Sequence, residues 1–89
     1  MDKPYFMYVL LTEDDTLYCG YTDDVEKRFE KHKIGLGAKY TKSHKPKEIV
    51  FKQEYKTKSE AMKAECKFKK LDRKSKLLVI EGYLNLAEL

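Results

Sequence analysis

The stretch "YFMYVLLTEDDTLYCGYT", Tyr5 to Thr22, decides the fold. Its first part, "YFMYVLL" (5–11), is aromatic and β-branched, as a largely buried strand should be. "EDD" (13–15) is a turn signal, and "TLYCGYT" (16–22) reads as the returning strand of an antiparallel hairpin. A turn centred on Asp14 sets Tyr8 opposite Gly20 and Leu10 opposite Tyr18. Tyr8 and Tyr18 then share one face as diagonal neighbours. Slipping the register by one residue would separate them.

Working outward, Thr22, Asp23 or Asp24 can cap a helix through "VEKRFEKHK", which stops near Gly35 and Gly37. "AKYTKSHKPK" (38–47) reads as a basic loop with room for one helical turn, and "EIVFKQEY" (48–55) as a third strand. Thr57 and Glu60 fit a capping box that opens a helix to about Leu71. Asp72 caps a last helix, "RKSKLLVIE", with Gly82 as its stop. The expectation is an α+β fold in the order ββαβαα: a three-stranded antiparallel sheet flanked by helices. At 89 residues it is a single domain, taken as 1–82, with 83–89 as a C-terminal tail.

The formal net charge is +4, and it is unevenly placed. Residues 1–25 hold one Lys and six Asp/Glu, whereas residues 26–47 hold eight Lys/Arg and two Glu. Such a block suits a polyanion such as nucleic acid, or simply a solvated lysine-rich surface. Two cysteines, Cys19 and Cys66, have neither metal spacing nor a disulfide framework and read as reduced thiols, with a nucleophilic Cys19 left open. No segment reaches the roughly 20 apolar residues that span a bilayer, and "MDKPYFMYVLL" is too short an apolar run for a signal peptide. The expectation is a cytoplasmic protein with no membrane partner.

Three features sit awkwardly in a plain core. Gly20 opposite Tyr8 leaves room for a close approach, or is a structural glycine beside two core tyrosines. Arg28 and His32, four apart, lie on one helix face; they line a cleft or form a surface pair. Glu65 falls on the apolar stripe of Ala61, Ala64, Phe68 and Leu71, where an ionised carboxylate needs a cation: a salt bridge or a metal. An arginine, a histidine, a carboxylate and two phenols around one sheet face suit phosphodiester hydrolysis better than acyl transfer.

These residues resemble the motifs of the GIY-YIG nuclease superfamily. "FMY" (6–8) resembles its first motif, with Tyr8 as the motif tyrosine, and "YCG" (18–20) its second, supplying Tyr18 and Gly20. "RFEKH" resembles the helix motif with Arg28 and His32, and Glu65 matches the later carboxylate. The likeness is to the small stand-alone bacterial members, the YhbQ/YazA-like group, and includes "GLGAKYTKSHKP" (35–46), "SEAMKAECKFKKL" (59–71) and "SKLLVI" (75–80). Phe6 stands where the first motif has Gly. The Asn that many members carry beyond the glutamate has no match, Asn85 lying in the tail.

The resemblance implies metal-dependent hydrolysis of nucleic acid, DNA ahead of RNA, in DNA processing or repair, with Glu65 on one Mg²⁺ or Mn²⁺. Arg28 would stabilise the charge that builds on phosphate, Tyr8 would act on the attacking water directly or through His32, and Tyr18 would position water or phosphate. Lys27, Lys31, Lys39, Tyr40, Lys42, His44, Lys45 and Lys47 would hold the nucleic-acid backbone. The absence of a fused DNA-binding domain leaves room for a protein partner that supplies targeting. Two other functions stay open: a nucleic-acid-binding module without catalysis, and a protein-interaction scaffold.

Overall fold

In the computed structural model, which describes residues 3–89, the hairpin is the centre of the sheet. Strands β1 (Tyr5–Thr12) and β2 (Leu17–Thr22) pair antiparallel, with Tyr8 opposite Gly20 and Leu10 opposite Tyr18. Asp15 turns the hairpin at φ 63°, a left-handed conformation that Asp tolerates. The Thr16 amide donates to Thr12 Oγ1 (3.0 Å), and the Thr12 amide to Thr16 O (2.9 Å), so the register is locked at the turn. Strand β3 (Pro46–Tyr55) pairs with β1 on its other side, giving the order β2-β1-β3.

The sheet separates two layers. Helix α1 (Val25–Lys33) covers one face, where Val25 and Phe29 pack with Tyr8, Leu10 and Ile49. Helices α3 (Lys58–Lys69) and α4 (Arg73–Glu81) cover the other, where Phe68, Ala64 and Val79 pack with Met7, Val9 and Cys19. Strand alternation sends Tyr8 to one layer and Met7 and Val9 to the other. Burying a side chain the size of Phe68 contributes about 1.5–3 kcal/mol. The helix starts follow their caps: the Lys27, Glu60 and Ser75 amides donate to Asp24, Thr57 and Asp72 side chains. Gly82, at φ 87°, ends α4 as the left-handed residue that position requires.

Three expectations change in detail. The basic loop contains a short helix, α2 (Lys39–Ser43), and its last residues, Pro46 and Lys47, belong to β3. Pairing extends there because the Glu13 amide donates to Lys45 O (2.8 Å), and an edge strand accepts proline at its first position. Helix α3 ends at Lys69 rather than near Leu71. The segment after Gly82 carries a 3₁₀ turn (Leu86–Glu88), capped by Asn85, that puts Leu86 into the core beside Phe68.

Candidate active site

Helix α1 and α2 approach the β2 side of the sheet on one face, and the C-terminal half of α3 approaches it on the other. The residues singled out above gather along this edge. Gly20 is needed there: a Cβ at this position would come within 2.6 Å of Tyr8 Oη. The space opposite Tyr8 is therefore filled by the phenol of Tyr8 itself.

Tyr8 Oη lies 2.8 Å from His32 Nε2, and His32 Nδ1 lies 2.7 Å from Thr41 Oγ1. Thr41 Oγ1 donates to Ala38 O at 2.9 Å, which uses its only proton. Each ring nitrogen of His32 thus meets a hydroxyl, and the Ala38 amide also donates to Nδ1, at 3.4 Å. Tyr8, His32 and Thr41 are 1%, 1% and 2% exposed. Their hydrogen-bonded chain is what lets three polar side chains sit in a core.

Burial pushes the Tyr8 phenol up, its neighbour Tyr18 adds to this, and the Arg28 guanidinium beside it pulls partly back. Burial, and then the Arg28 charge, push His32 down to about 4. His32 is thus neutral in the folded protein near pH 7. A depressed histidine contributes stability that is fully present above its unfolded value, near 6.5, and is lost as pH falls toward 4. Denaturant midpoints should fall between pH 7 and pH 4.5, with about 3 kcal/mol as the full span. His32→Gln should flatten the profile; an unchanged slope would assign the acid sensitivity elsewhere.

Tyr18 is half-buried, and its hydroxyl makes no hydrogen bond among the described residues. Its ring meets His32 edge-on at 5.1 Å and Tyr8 at 6.4 Å. Burial raises its phenol, while the Lys69 and Arg28 charges act against that rise. Tyr40 stacks on Tyr18 at 5.9 Å and on His44 at 4.1 Å, and His44 Nδ1 meets Asp14 Oδ2 at 2.6 Å. Tyr40 and His44 therefore tie α2 and the hairpin turn onto Tyr18. The Asp14 carboxyl, hydrogen-bonded by Thr12 and His44, is held down at about 2.

Arg28 is half-buried and forms no ion pair among the described residues. With Lys27 and Lys31 it lines a cleft of about 310 Å³, which Lys58 closes from α3. Lys39, Lys42, Lys45 and Lys47 are exposed and likewise free of ion pairs among the described residues. These cations are free to meet phosphate. Glu65 is 19% exposed, with Oε1 3.6 Å from Lys69 Nζ one helical turn on. Its charge acts on both Tyr18 and Cys19. That pairing is loose, since Lys69 is half exposed and the contact is long. Among the described residues no three His, Cys, Asp or Glu side chains converge. The donor set is one hard carboxylate, which suits a divalent ion that keeps most of its waters and takes its other ligands from phosphate.

Cys19 is buried at 5% exposure, and burial, then Glu65, push its thiol up to about 12, which keeps it protonated near pH 7. Both cysteines are free, Cys19 buried and Cys66 exposed. Sequence reasoning missed Thr41, Gly37, Lys58 and Lys69. Only Lys69 left a signal, its i+4 spacing from Glu65. Gly37 lies so close to His32 that a Cβ there would overlap Nδ1. No helix among the described residues is long and apolar enough to cross a membrane.

The sequence pattern of the GIY-YIG catalytic domain matches residues 4–78. The chain is 49% identical over 84 residues to the UPF0213 protein YazA of Bacillus subtilis (strain 168), covering 94% of this chain and 85% of that one. It is 44% identical over 82 residues to the UPF0213 protein SAG0778 of Streptococcus agalactiae, covering 92% and 93%. Among solved structures, the solution NMR structure of EF2693 from E. faecalis is similar with TM-score 0.62 and 40% identity, covering 92% of this chain and 88% of that one. The UPF0213 protein BH0048 from Bacillus halodurans, also solved by NMR, gives TM-score 0.57 and 37% identity, with 88% and 83% covered. With the domain pattern running across both tyrosine motifs, the Arg-His helix and the Glu65 helix, the chain belongs to the GIY-YIG catalytic domain family.

Proposed function

We propose that this protein hydrolyses phosphodiester bonds of nucleic acid with the aid of one divalent cation, Mg²⁺ or Mn²⁺, and that DNA is its substrate ahead of RNA. The observation that carries the reading is the edge of β2. There a half-buried phenol (Tyr18), a guanidinium with no ion pair among the described residues (Arg28) and a loosely paired carboxylate (Glu65) adjoin a rigid buried chain. Family membership supports nucleic acid as the ligand. The exposed lysines, free of ion pairs among the described residues, supply the sequence-independent attraction.

The buried position of Tyr8 supports a reading in which the tyrosine roles anticipated from the motifs are exchanged. Its hydroxyl is committed to His32 Nε2 and covered by Gly20, so Tyr8 is a positioning residue. Tyr18 is the phenol that meets the attacking water. As its phenolate it takes one proton from that water while the water oxygen bonds to phosphorus. Arg28 and Lys69 favour the phenolate against the burial that raises it. Arg28 binds the phosphoryl oxygens as charge grows on them. The leaving alkoxide takes a proton from solvent, and Tyr18 returns its proton to water. Glu65, with waters and phosphate oxygens, would hold the cation, which when bound polarises the phosphoryl group. Lys27, Lys31, Lys39, Lys42, Lys45 and Lys47 hold the backbone on either side.

The test is cleavage of labelled single-stranded, duplex and flap DNA, and of RNA, with Mg²⁺, Mn²⁺ or EDTA. Cutting should require the ion and vanish in Glu65→Gln. Below the Tyr18 titration, kcat/KM should rise about tenfold per pH unit. Tyr18→Phe should remove both the activity and this slope; Tyr8→Phe should lower the rate and keep the slope. If Tyr18→Phe keeps a pH-dependent rate while Tyr8→Phe does not, the roles revert. Salt-sensitive binding without cutting in any metal would leave a binding module, the reading that the unmatched family Asn favours.

A further inference from the structure

Just beyond α1 the chain exposes two large aliphatic side chains in a row of three residues: Ile34 is 68% and Leu36 is 69% exposed. Leaving side chains of this size in water forgoes the burial that ordinarily stabilises a fold. The segment that carries them is firmly built. The Ile34 amide donates to Glu30 O (3.2 Å), Gly35 to His32 O (3.2 Å) and Leu36 to Lys31 O (2.9 Å). Gly35, between them, takes φ 82°, a left-handed turn that glycine adopts without strain. Gly37 then lies flat on His32, so the base of the prong is seated on the buried chain beneath the site. Lys31 and Lys39, exposed and unpaired among the described residues, flank it.

We infer that Ile34 and Leu36 form an apolar wedge that inserts against an unstacked base step where double-stranded nucleic acid opens into a single strand, next to the bond to be cut. Aliphatic side chains on a basic surface recognise nucleic acid in this way, parting or capping a base step while cations hold the phosphates. The flanking lysines and the basic block from residue 26 to 47 make the occupant anionic, which favours nucleic acid over an apolar protein face. The fixed path from Leu36 through Gly37 to His32 links the opened step to the edge where Tyr18 and Arg28 lie. The preferred substrate is therefore a junction or flap. This inference rests on the nuclease reading above and narrows its substrate.

The experiment uses DNA and RNA duplexes bearing a single-stranded arm, with 2-aminopurine at the junction, beside fully paired duplexes and free single strands, all in EDTA. Wild type should bind the junction about tenfold more tightly than the paired duplex, and should brighten 2-aminopurine as the step unstacks. Ile34→Ser/Leu36→Ser should lose the preference and the brightening while keeping its salt-sensitive binding to single strands. Ile34→Leu should keep both. Thermal melting should show the double variant folded, since both side chains face water. Salt-sensitive binding without junction preference, or a double variant that keeps it, overturns the wedge alone. No binding to any nucleic acid overturns the nuclease reading as well. A wild type that self-associates through these side chains, and a variant that does not, overturns the wedge in favour of a protein interface.

Discussion

Gly37→Ala should be the most damaging single methyl in this protein. The added Cβ would overlap His32 Nδ1, and neither side can yield cheaply. His32 is pinned between Tyr8 Oη at 2.8 Å and Thr41 Oγ1 at 2.7 Å, with 1% exposure. Moving the ring breaks at least one of these bonds and leaves a buried polar atom unpaired. Strain in a filled core and the lost bond together should cost roughly 2–4 kcal/mol. For a domain of this size that is about 10–20 °C in melting temperature. His32→Ala in the same chain should recover part of the loss, because it removes the atom that is struck; the two substitutions should be non-additive. Gly35→Asn, at a left-handed position with open space around it, should be nearly neutral. A Gly37→Ala protein that melts with wild type would disprove the packing of the 34–38 turn against His32.

Arg28→Ala should lower cleavage by about 10²–10³-fold in single-turnover assays, the usual loss for one donor aimed at developing charge. Arg28→Lys should recover only part, because an ammonium cannot fork across two phosphoryl oxygens. The fold should survive, since Arg28 has no ion pair among the described residues to lose. One readout does not depend on turnover. Arg28 is the second cause, after burial, of the depressed His32 value, so Arg28→Ala should raise His32 above 4 while leaving it below 6.5. An NMR titration of the ring reads this directly. A rate within threefold of wild type, with His32 unmoved, would place Arg28 away from both the phosphate and the buried chain.

How much of this could be read without coordinates differs from one residue to the next. Asp24, Asp72 and Gly82 act where the sequence pattern put them, as helix starts and a stop, because capping is a local contest between one side chain and the nearest backbone groups. The opposition of Tyr8 to Gly20 and of Leu10 to Tyr18 was equally legible. Turn length and strict alternation leave one register with apolar residues on both buried faces. The same arithmetic on α1 put Arg28 and His32 on a common face.

Depth and partnership were not legible. Tyr8 and Tyr18 have the same chemistry and the same motif standing, yet one is 1% exposed and bonded to His32 while the other is half-buried, its hydroxyl without a partner among the described residues. That difference arises because Tyr8 lies on the central strand beneath α1 and Tyr18 on the edge strand. Thr41 comes from a stretch that reads as a solvated basic loop, and becomes the hydroxyl partner of His32 Nδ1 only when α2 folds back over the end of α1. The sequence by itself determined the main strands and helices, their order, the hairpin register and the chemical inventory of the site, all of which depend on neighbours a few residues apart or directly across a turn. Tertiary structure alone decided which phenol meets solvent, which hydroxyls His32 pairs with, and that Gly37 must be glycine. Each of these depends on contacts between segments that no local pattern encodes.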